Sequence, residues 1–298
     1  MATRWLRVIA ATLSLMVVAS ASAQDIAVKD GQKIAFLGDS ITQFGAGSPS
    51  GYVRLVISGL EANGVKAIAI AAGISGNKSN DMLGRLDHDV IAKKPDWMTL
   101  SCGVNDVWHG ERGVPLDQYK QNITAIVDKA QAAGIKVMIL TSTMIGEDAP
   151  NSNNQKLIAY NDFLRALAAA KKCVLVDLNA NMQAAVKEAS GAGSKKGNML
   201  TADGVHMNLT GNRMMAGGVL KGFGLSPAEI QKAQTAWLDI PKACELNGRT
   251  AVSMRQYDQL SVLAAQRNVS LNDLLNTAYN KAVDQLLQGD AKSGAEGK

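Results

Sequence analysis

Residues 33–40, which read KIAFLGDS, join a short apolar run to a glycine, an acid and a serine. Apolar runs of this length, ended by a turn residue, are typical of strands buried in a parallel sheet. Four further runs have the same form: Lys66–Ala71, Trp97–Leu100, Lys136–Leu140 and Val174–Val176. Longer helical patterns lie between and after the runs: Tyr52–Ala62, Met82–Ala92, Gln118–Ala132, Gln155–Ala170, Asn181–Ala189 and one from Asn208 towards Leu220. This alternation predicts a doubly wound α/β fold with about five parallel strands.

Composition limits the classes of function. The chain has 298 residues, of which 47% are hydrophobic, so it can bury a sizeable core. Aromatic residues make up only 4%, which argues against a stacking platform for single-stranded nucleic acid. The three histidines and three cysteines show no metal-ligand spacing, and no nucleotide-binding glycine pattern follows the first strand. We therefore expect no metal, no cofactor and no nucleic-acid partner.

Residues 1–23 have the pattern of a secretory signal peptide. Arg4 and Arg7 supply the positive start, Val8–Ala19 the apolar centre, and Ala21–Ala23 a small-residue cleavage site. An uncleaved anchor helix is the alternative, although the apolar run is shorter than the ~20 residues that a membrane span needs. We expect export to the periplasm or the medium, without stable membrane insertion after cleavage.

Polar clusters stand at the ends of the first three predicted strands. They are Gly38–Ser40, Gly73–Asn77 and Gly103–Asp106, and a fourth cluster, Asp203–His206, precedes the last helix of the block. In an open parallel sheet, ligands bind beyond the carboxyl ends of the strands. The first three clusters are therefore expected to meet at one edge of the sheet.

The residue types in these clusters suit acyl transfer. A serine hydroxyl such as Ser40 is a weak nucleophile until a base takes its proton, and His206 is the candidate base. Asp203 lies three residues before His206, a spacing at which a carboxylate can orient an imidazole. The Ser40 amide, the Gly76 amide and the Asn105 side chain are candidate donors to the oxyanion of the tetrahedral intermediate.

Each residue also has a purely structural interpretation. Asp39 and Ser40 can cap a helix, Gly76 and Asn105 can serve turns, and Asp203 can precede a glycine turn. His206 can be an ordinary surface or core histidine. Three other candidates are poorer: Ser75 lacks the spacing of a Gly-x-Ser-x-Gly elbow, His88 lies on a helical stretch, and His109 follows the third cluster.

Taken together, the four blocks resemble the GDSL/SGNH hydrolase family over residues 33–223. The family is named for Ser, Gly, Asn and His, which here correspond to Ser40, Gly76, Asn105 and His206. The resemblance implies that Ser40 is the nucleophile, His206 the base and Asp203 its partner. It also implies a flavodoxin-like hydrolase domain over residues 24–224, with Ser40, Gly76 and Asn105 forming the oxyanion hole.

Several functions fit this resemblance. An exported serine esterase that deacetylates a carbohydrate is favoured, because residues 145–154 beyond the fourth strand are polar and suit a sugar better than a fatty chain. A lysophospholipase or short-chain acyl esterase is the first alternative. A catalytically silent envelope-binding protein is another, and an acyl transferase that uses the same three residues stays open.

The remainder of the chain reads as a smaller helical module over residues 225–288, followed by a disordered tail over 289–298. Residues 249–253 predict a strand, and Ser253 and Ser270 each predict a helix start. This order weakly resembles the ribbon-helix-helix fold, but eight bases and eight acids after residue 224 leave no basic surface for DNA. We expect a homodimer through residues 247–288 and an active domain after truncation near residue 224. Packing of the module on its own chain is the alternative.

The three cysteines leave one question open. Cys102 ends an apolar strand pattern and is expected to be a buried free thiol. Cys173 and Cys244 can pair only if their Cα atoms come close enough, which the sequence does not show.

Overall fold

The computed structural model describes residues 26–191, 198–241, 243–246 and 250–293. Its centre is a parallel sheet of five strands in the order β2-β1-β3-β4-β5, which confirms the predicted fold class. The strands are β1 (Lys33–Gly38), β2 (Ile68–Gly73), β3 (Trp97–Ser101), β4 (Lys136–Leu140) and β5 (Val174–Val176). The predicted signal peptide lies outside the described residues and stays a prediction.

Nine helices among the described residues form one unit with this sheet. They are α1 (Ser40–Gly47), α2 (Tyr52–Ala62), α3 (Ser79–Asp89), α4 (Val104–Trp108), α5 (Leu116–Ala132), α6 (Ser152–Ala170), α7 (Leu178–Gly191), α8 (Leu209–Gly222) and α9 (Pro227–Trp237). One group packs α2 against α8 and α9, and a second packs α5 against α3 and α6. Apolar residues of β1 between these layers are fully buried, as their unbroken run predicts.

Predicted and observed boundaries differ where local chemistry outweighs the apolar pattern. Helix α3 begins at Ser79 rather than Met82, because Asp81 Oδ2 accepts from the Lys78 amide at 2.9 Å and satisfies a backbone N–H at the helix start. Strand β2 is shifted to Ile68–Gly73, in register with β1 from Lys33 onward. The short helices α1 and α4 lack a long apolar period, so the pattern did not predict them.

The unit built around the sheet continues past the predicted boundary at Gly224. Trp237, the last residue of α9, is fully buried, and its Nε1 donates to the Leu55 carbonyl oxygen at 3.0 Å. Helices also approach closely at Gly59 of α2, where a Cβ would lie 2.6 Å from a Leu220 methyl. A truncation at residue 224 would therefore expose the core. Contrary to the expectation from the sequence, the truncated domain should be inactive.

The C-terminal module has the predicted strand, helix, helix order. An antiparallel hairpin of β6 (Cys244–Leu246) and β7 (Thr250–Val252) precedes α10 (Met254–Gln266) and α11 (Leu271–Ser293). The predicted caps are present at Ser253 and Ser270. The tail predicted to be disordered from residue 289 is helical as far as Ser293, because helix-forming residues around Gly289 carry α11 onward.

The start of this module packs on its own chain, as the alternative interpretation predicted. Met254 is fully buried in the same core as the sheet. Arg213 of α8 donates from Nη1 and Nη2 to the two carboxylate oxygens of Asp258 at 2.8 and 3.1 Å. The Arg255 amide donates to the Leu238 carbonyl oxygen at 2.9 Å. These contacts fix α10 against α8 and the end of α9.

The cysteines are free where the structure describes their side chains. Cys102 is buried, as predicted, and burial raises the pKa of its thiol. Cys173 is a half-buried free thiol. The side chain of Cys244 lies outside what the structure describes, so the question of a Cys173–Cys244 bridge stays open. No helix in the described ranges is long and apolar enough for a bilayer crossing.

Candidate active site

Ser40 is held at the junction of β1 and α1. Asp39 is the N-cap of α1, and its Oδ1 accepts from the Ile41 amide at 2.9 Å. The capping interpretation of this pair is therefore correct, and Ser40 follows as the first residue of the helix. The serine is 8% exposed, so its backbone and side chain sit in a fixed, mostly buried position.

His206 and Asp203 lie on the loop before α8 and reach Ser40 in a line. His206 Nε2 is 2.8 Å from Ser40 Oγ, and His206 Nδ1 is 2.6 Å from Asp203 Oδ2. Asp203 Oδ1 also accepts from the His206 and Val205 amides at 2.8 and 3.0 Å. An imidazole placed between a hydroxyl and a carboxylate in this way can accept the hydroxyl proton.

The electrostatics of Asp203 keep it ionised. Partial burial raises the pKa of Asp203, but the hydrogen bonds from the His206 side chain and from the two loop amides outweigh burial. Together they lower that pKa to about 2. The carboxylate is therefore negative at neutral pH, so it can stabilise a positive imidazole next to it.

A half-buried carboxylate that the sequence did not predict holds this loop. Glu147, which follows β4, accepts at Oε1 from the Leu200 and Thr201 amides at 2.8 and 2.7 Å. Its Oε2 accepts from the Met199 amide at 2.5 Å. The Thr201 hydroxyl donates to Oε1 at 2.7 Å. Glu147 thus fixes the segment that leads into the Asp203–His206 turn, and no local sequence signal marks it.

The two other predicted residues lie at the ends of β2 and β3. Gly76 has φ of +76°, and a Cβ there would meet nothing within 4 Å, so the left-handed backbone rather than crowding favours glycine. Asn105 is buried in α4, with Oδ1 3.2 Å from His109 Nε2 and Nδ2 donating to the Asn77 carbonyl oxygen at 3.1 Å. A primary amide has two N–H bonds, so Asn105 can donate once more.

Arg85 of α3 ties the first two clusters together, which the sequence did not suggest. Its Nη2 donates to the Gly38 carbonyl oxygen at 2.9 Å, and its Nε donates to Asn77 Oδ1 at 2.7 Å. Asp106 accepts from the Ser79 amide and hydroxyl at 3.0 and 2.6 Å, which joins α4 to α3. These contacts bring the carboxyl ends of β1, β2 and β3 into one rigid edge, as the topology predicts.

The poorer candidates lie elsewhere or act indirectly. Ser75 donates its amide to Gln43 Oε1 at 2.7 Å and has no base beside its hydroxyl among the described contacts. The His88 side chain is 90% exposed on α3, as expected for a solvated face. His109 contacts Asn105 and so can orient that amide. Within the described ranges, no group of three or more acidic, histidine or cysteine side chains is placed to hold a metal ion.

Asp39 has an unusual environment for an acid beside the serine. Burial is the largest influence on the Asp39 carboxyl and raises its pKa, and the nearby Asp106 raises it further. The hydrogen bond from the Ile41 amide and the nearby His206 lower the pKa, but the net result is a rise from 3.8 to about 6. The pKa of Asp39 is therefore higher in the folded than in the unfolded protein. The contribution of Asp39 to the free energy of unfolding is complete below about pH 4 and is lost as pH rises through about 6.

Asp39→Asn should therefore flatten the pH dependence of stability. Between pH 4 and 7.5, the wild type should lose about 3 kcal/mol of unfolding free energy that the variant keeps. Urea unfolding at the two pH values measures this difference. Asp117→Asn, at a side chain that is 94% exposed, is the control. Parallel pH curves for the wild type and Asp39→Asn would contradict the assignment.

A cavity of about 760 Å³ opens beside His206. Ile41 and Phe44 of α1 line one side, and the Phe44 ring centroid is 5.0 Å from that of His206. Tyr257 of α10 and residues 270–272 at the start of α11 line another side. The site therefore combines a hydrogen-bonded serine, histidine and aspartate with a cleft large enough for much more than an acyl group.

Comparisons with known proteins agree with this geometry. The family model for the GDSL-like Lipase/Acylhydrolase family matches residues 36–214. The chain is similar to an acetylxylan esterase of Geobacillus stearothermophilus, with 28% identity over 218 residues, 66% of this chain and 96% of the relative. It is also similar to Esterase TesA of Pseudomonas aeruginosa, with 31% identity over 176 residues, 59% of this chain and 79% of the relative.

Solved structures give the same result. The structure of the acetyl xylan esterase AlAXEase superposes with a TM-score of 0.58 and 35% identity, covering 63% of this chain and 98% of that one. The family match and the esterase relatives support carboxylic ester hydrolysis by this chain. With more than half of its length matched by the family model, the chain belongs to the GDSL-like lipase/acylhydrolase family.

Proposed function

We propose that this enzyme deacetylates carbohydrates, with Ser40 as nucleophile, His206 as base and Asp203 as the group that orients His206. The unbroken line of hydrogen bonds from Ser40 Oγ to Asp203, at the edge of a large cleft, is the observation that carries the proposal. Two acetylxylan esterases among the similar proteins support acetylated sugar as the substrate class.

The chemistry follows from the two hydrogen bonds of His206. Nε2 takes the Ser40 proton while Oγ forms a bond to the carbonyl carbon of the acetyl ester. As the ester C–O bond breaks, Nε2 returns that proton to the leaving sugar hydroxyl. A water molecule then repeats the sequence on the acetyl-enzyme, releasing acetate and restoring Ser40. Asp203 stays ionised throughout and stabilises the positive imidazole of each step.

The oxyanion of both intermediates needs donors on the far side of Ser40 from His206. The proposed donors are the Ser40 amide at the start of α1, the Gly76 amide and the Asn105 side chain. Asn105 is held by its contacts with Asn77 and His109, so its side chain is in position before the reaction begins.

Asn105→Ala should lower kcat by roughly 10²–10³-fold with little change in KM, the scale for the loss of one preorganised oxyanion donor. Initial rates of p-nitrophenyl acetate hydrolysis measure the effect. Asn63→Ala, at the C-cap of α2 and outside the cleft, is the matched control. A higher KM with an unchanged kcat would assign Asn105 to substrate binding instead.

An ester panel tests the substrate class. The enzyme should release acetate from acetylated xylo-oligosaccharides and hydrolyse p-nitrophenyl acetate faster than p-nitrophenyl palmitate. A preference for the long acyl chain, or for lysophospholipid, would replace carbohydrate by lipid as the substrate. Transfer of acetyl to an added sugar at a rate above hydrolysis would make the enzyme a transferase.

We also propose that the enzyme is exported after removal of residues 1–23. The charged start, apolar centre and small cleavage residues support this. Expression of the full chain followed by N-terminal sequencing of the extracytoplasmic protein should give Gln24 as the first residue. Retention of residues 1–23 on a membrane-bound protein would favour the anchor helix.

A homodimer through residues 247–288 is a separate proposal. Among the described residues of the module, the large apolar side chains of Val262, Val269 and Tyr279 are exposed, and pairing with a second copy would cover them. Light scattering of the mature protein at micromolar concentration should give twice the chain mass. A monomer would overturn the dimer.

A further inference from the structure

The cavity beside His206 is lined partly by the C-terminal module, and this carries an inference that rests on the proposed function. We propose that Tyr257, Ser270 and Asn272 form the far wall of a subsite for the sugar chain that carries the acetyl ester. The wall would select esters of large, neutral, hydroxyl-rich alcohols over small esters.

The cavity lies on the His206 side of the site and not on the side of the oxyanion donors, which indicates that it receives the alcohol part of the ester. His206 lines the cavity, whereas Gly76 and Asn105 do not. Because Nε2 of the histidine must deliver a proton to the departing oxygen, the leaving alcohol lies on the His206 side. The carbonyl oxygen points the opposite way, towards the oxyanion donors. A cavity on the His206 side therefore receives the alcohol and not the carbonyl oxygen.

The chemistry of the lining selects a neutral polyol. Among the described residues that line the cavity, none is lysine, arginine, aspartate or glutamate. Polar groups alternate instead with apolar surface: the Asn272 amide and the Ser48 and Ser50 hydroxyls line the same cavity as Phe44 and Leu271. A phosphate headgroup would find no lysine or arginine among these described residues, whereas sugar hydroxyls can exchange hydrogen bonds with the Asn272 amide and the serine hydroxyls, and the C–H faces of a sugar can pack on the Phe44 ring.

Tyr257, one of the wall residues, is held in place although it comes from the end of the chain. The ion pair between Arg213 and Asp258 fixes α10 at the residue next to Tyr257. Ser270 caps α11 by accepting from the Asp273 amide at 3.1 Å. The part of the wall at Tyr257 is therefore in place before any ligand arrives, which lowers the ordering cost of binding there.

The wall also lies outside the part of the chain shared with the family. The family match ends at residue 214, before all three wall residues. The acetylxylan esterase of Geobacillus stearothermophilus is matched over 96% of its own length while covering only 66% of this chain. Selectivity supplied by the wall is thus an addition to the hydrolase domain.

Asn272→Trp should place a bulky ring in this part of the subsite. The ratio of kcat/KM for acetylated xylo-oligosaccharide to kcat/KM for p-nitrophenyl acetate should fall about 10-fold, chiefly through a higher KM for the oligosaccharide. Asn280→Trp, also exposed on α11 but outside the cavity lining, should leave the ratio as in the wild type. Asn272→Gln should keep most of the wild-type ratio.

Binding without turnover gives a second readout. In a Ser40→Ala background, calorimetric titration with the acetylated oligosaccharide should give a higher Kd when Asn272→Trp is added. An unchanged ratio together with an unchanged Kd would overturn the wall, while deacetylation by the wild type would leave the proposed function intact. A wild type that hydrolyses p-nitrophenyl acetate but releases no acetate from oligosaccharides would overturn both.

Discussion

Replacement of Ser40 by alanine should reduce kcat for ester hydrolysis by ~10⁴-fold or more, because no nucleophile remains for His206 to activate. His206→Ala should cost a similar factor, since the Ser40 hydroxyl would then keep its proton. The two side chains act in one step, so the double variant should lose little more than either single variant. Rates with p-nitrophenyl acetate, measured at high enzyme concentration, give all three values.

Folding of the variants is the necessary control for this result. Both positions lie at the cleft and not in the apolar core, so circular dichroism and urea unfolding should match the wild type closely. Ser75→Ala, in the next cluster along the sheet edge, should keep nearly full activity. Near-normal turnover by Ser40→Ala would show that another residue is the nucleophile.

Asp203→Asn should be the next most damaging change, with a loss of roughly 10³–10⁴-fold in kcat. The amide can present its N–H to Nδ1 and so favour the wrong imidazole tautomer, and it carries no charge to stabilise the imidazolium. Because the pKa of Asp203 is about 2, protonation of Asp203 itself contributes nothing to the pH dependence of the wild-type rate between pH 5 and 9. Full pH–rate profiles of variant and wild type measure this.

The wild-type pH profile also shows whether Asp203 itself is protonated in the range where the enzyme is active. An acidic decline in wild-type activity above pH 4 cannot come from protonation of Asp203, so it reports on another group. Asp162→Asn, a half-exposed acid on α6, is the matched control for loss of a carboxylate. Turnover of Asp203→Asn within about 10-fold of the wild type at pH 7 would contradict the role of the ionised Asp203.

The fold was predictable because its signal is strong and local. Lys136–Leu140 and Val174–Val176 were predicted with the bounds that the structure has. Four consecutive residues of β4 are buried, and a parallel strand covered in this way must be apolar along that length. Chain boundaries outside the sheet were less predictable. Ser226 and Pro227 mark the start of α9 clearly, but no residue pattern near Trp237 indicates that its side chain will be buried beside Leu55.

The site was predictable in its chemistry but not in its support. Ser40, Asp203 and His206 are brought together as expected, because strand ends converge and the aspartate–histidine spacing is a single turn. Glu147 and Arg85 were missed. Each acts through backbone groups that are distant in sequence, and such contacts depend on tertiary placement that no short motif records.

The burial of Trp237 has a consequence for how the protein is made. Synthesis delivers the chain from its N-terminus, so all five strands emerge before the residue that closes the core against Leu55. Until then, the apolar surface of α2 and α8 stays uncovered and open to proteases and to aggregation. Prematurely terminated chains should be degraded quickly, and fusion partners will be tolerated better at the end of α11 than between α8 and α9.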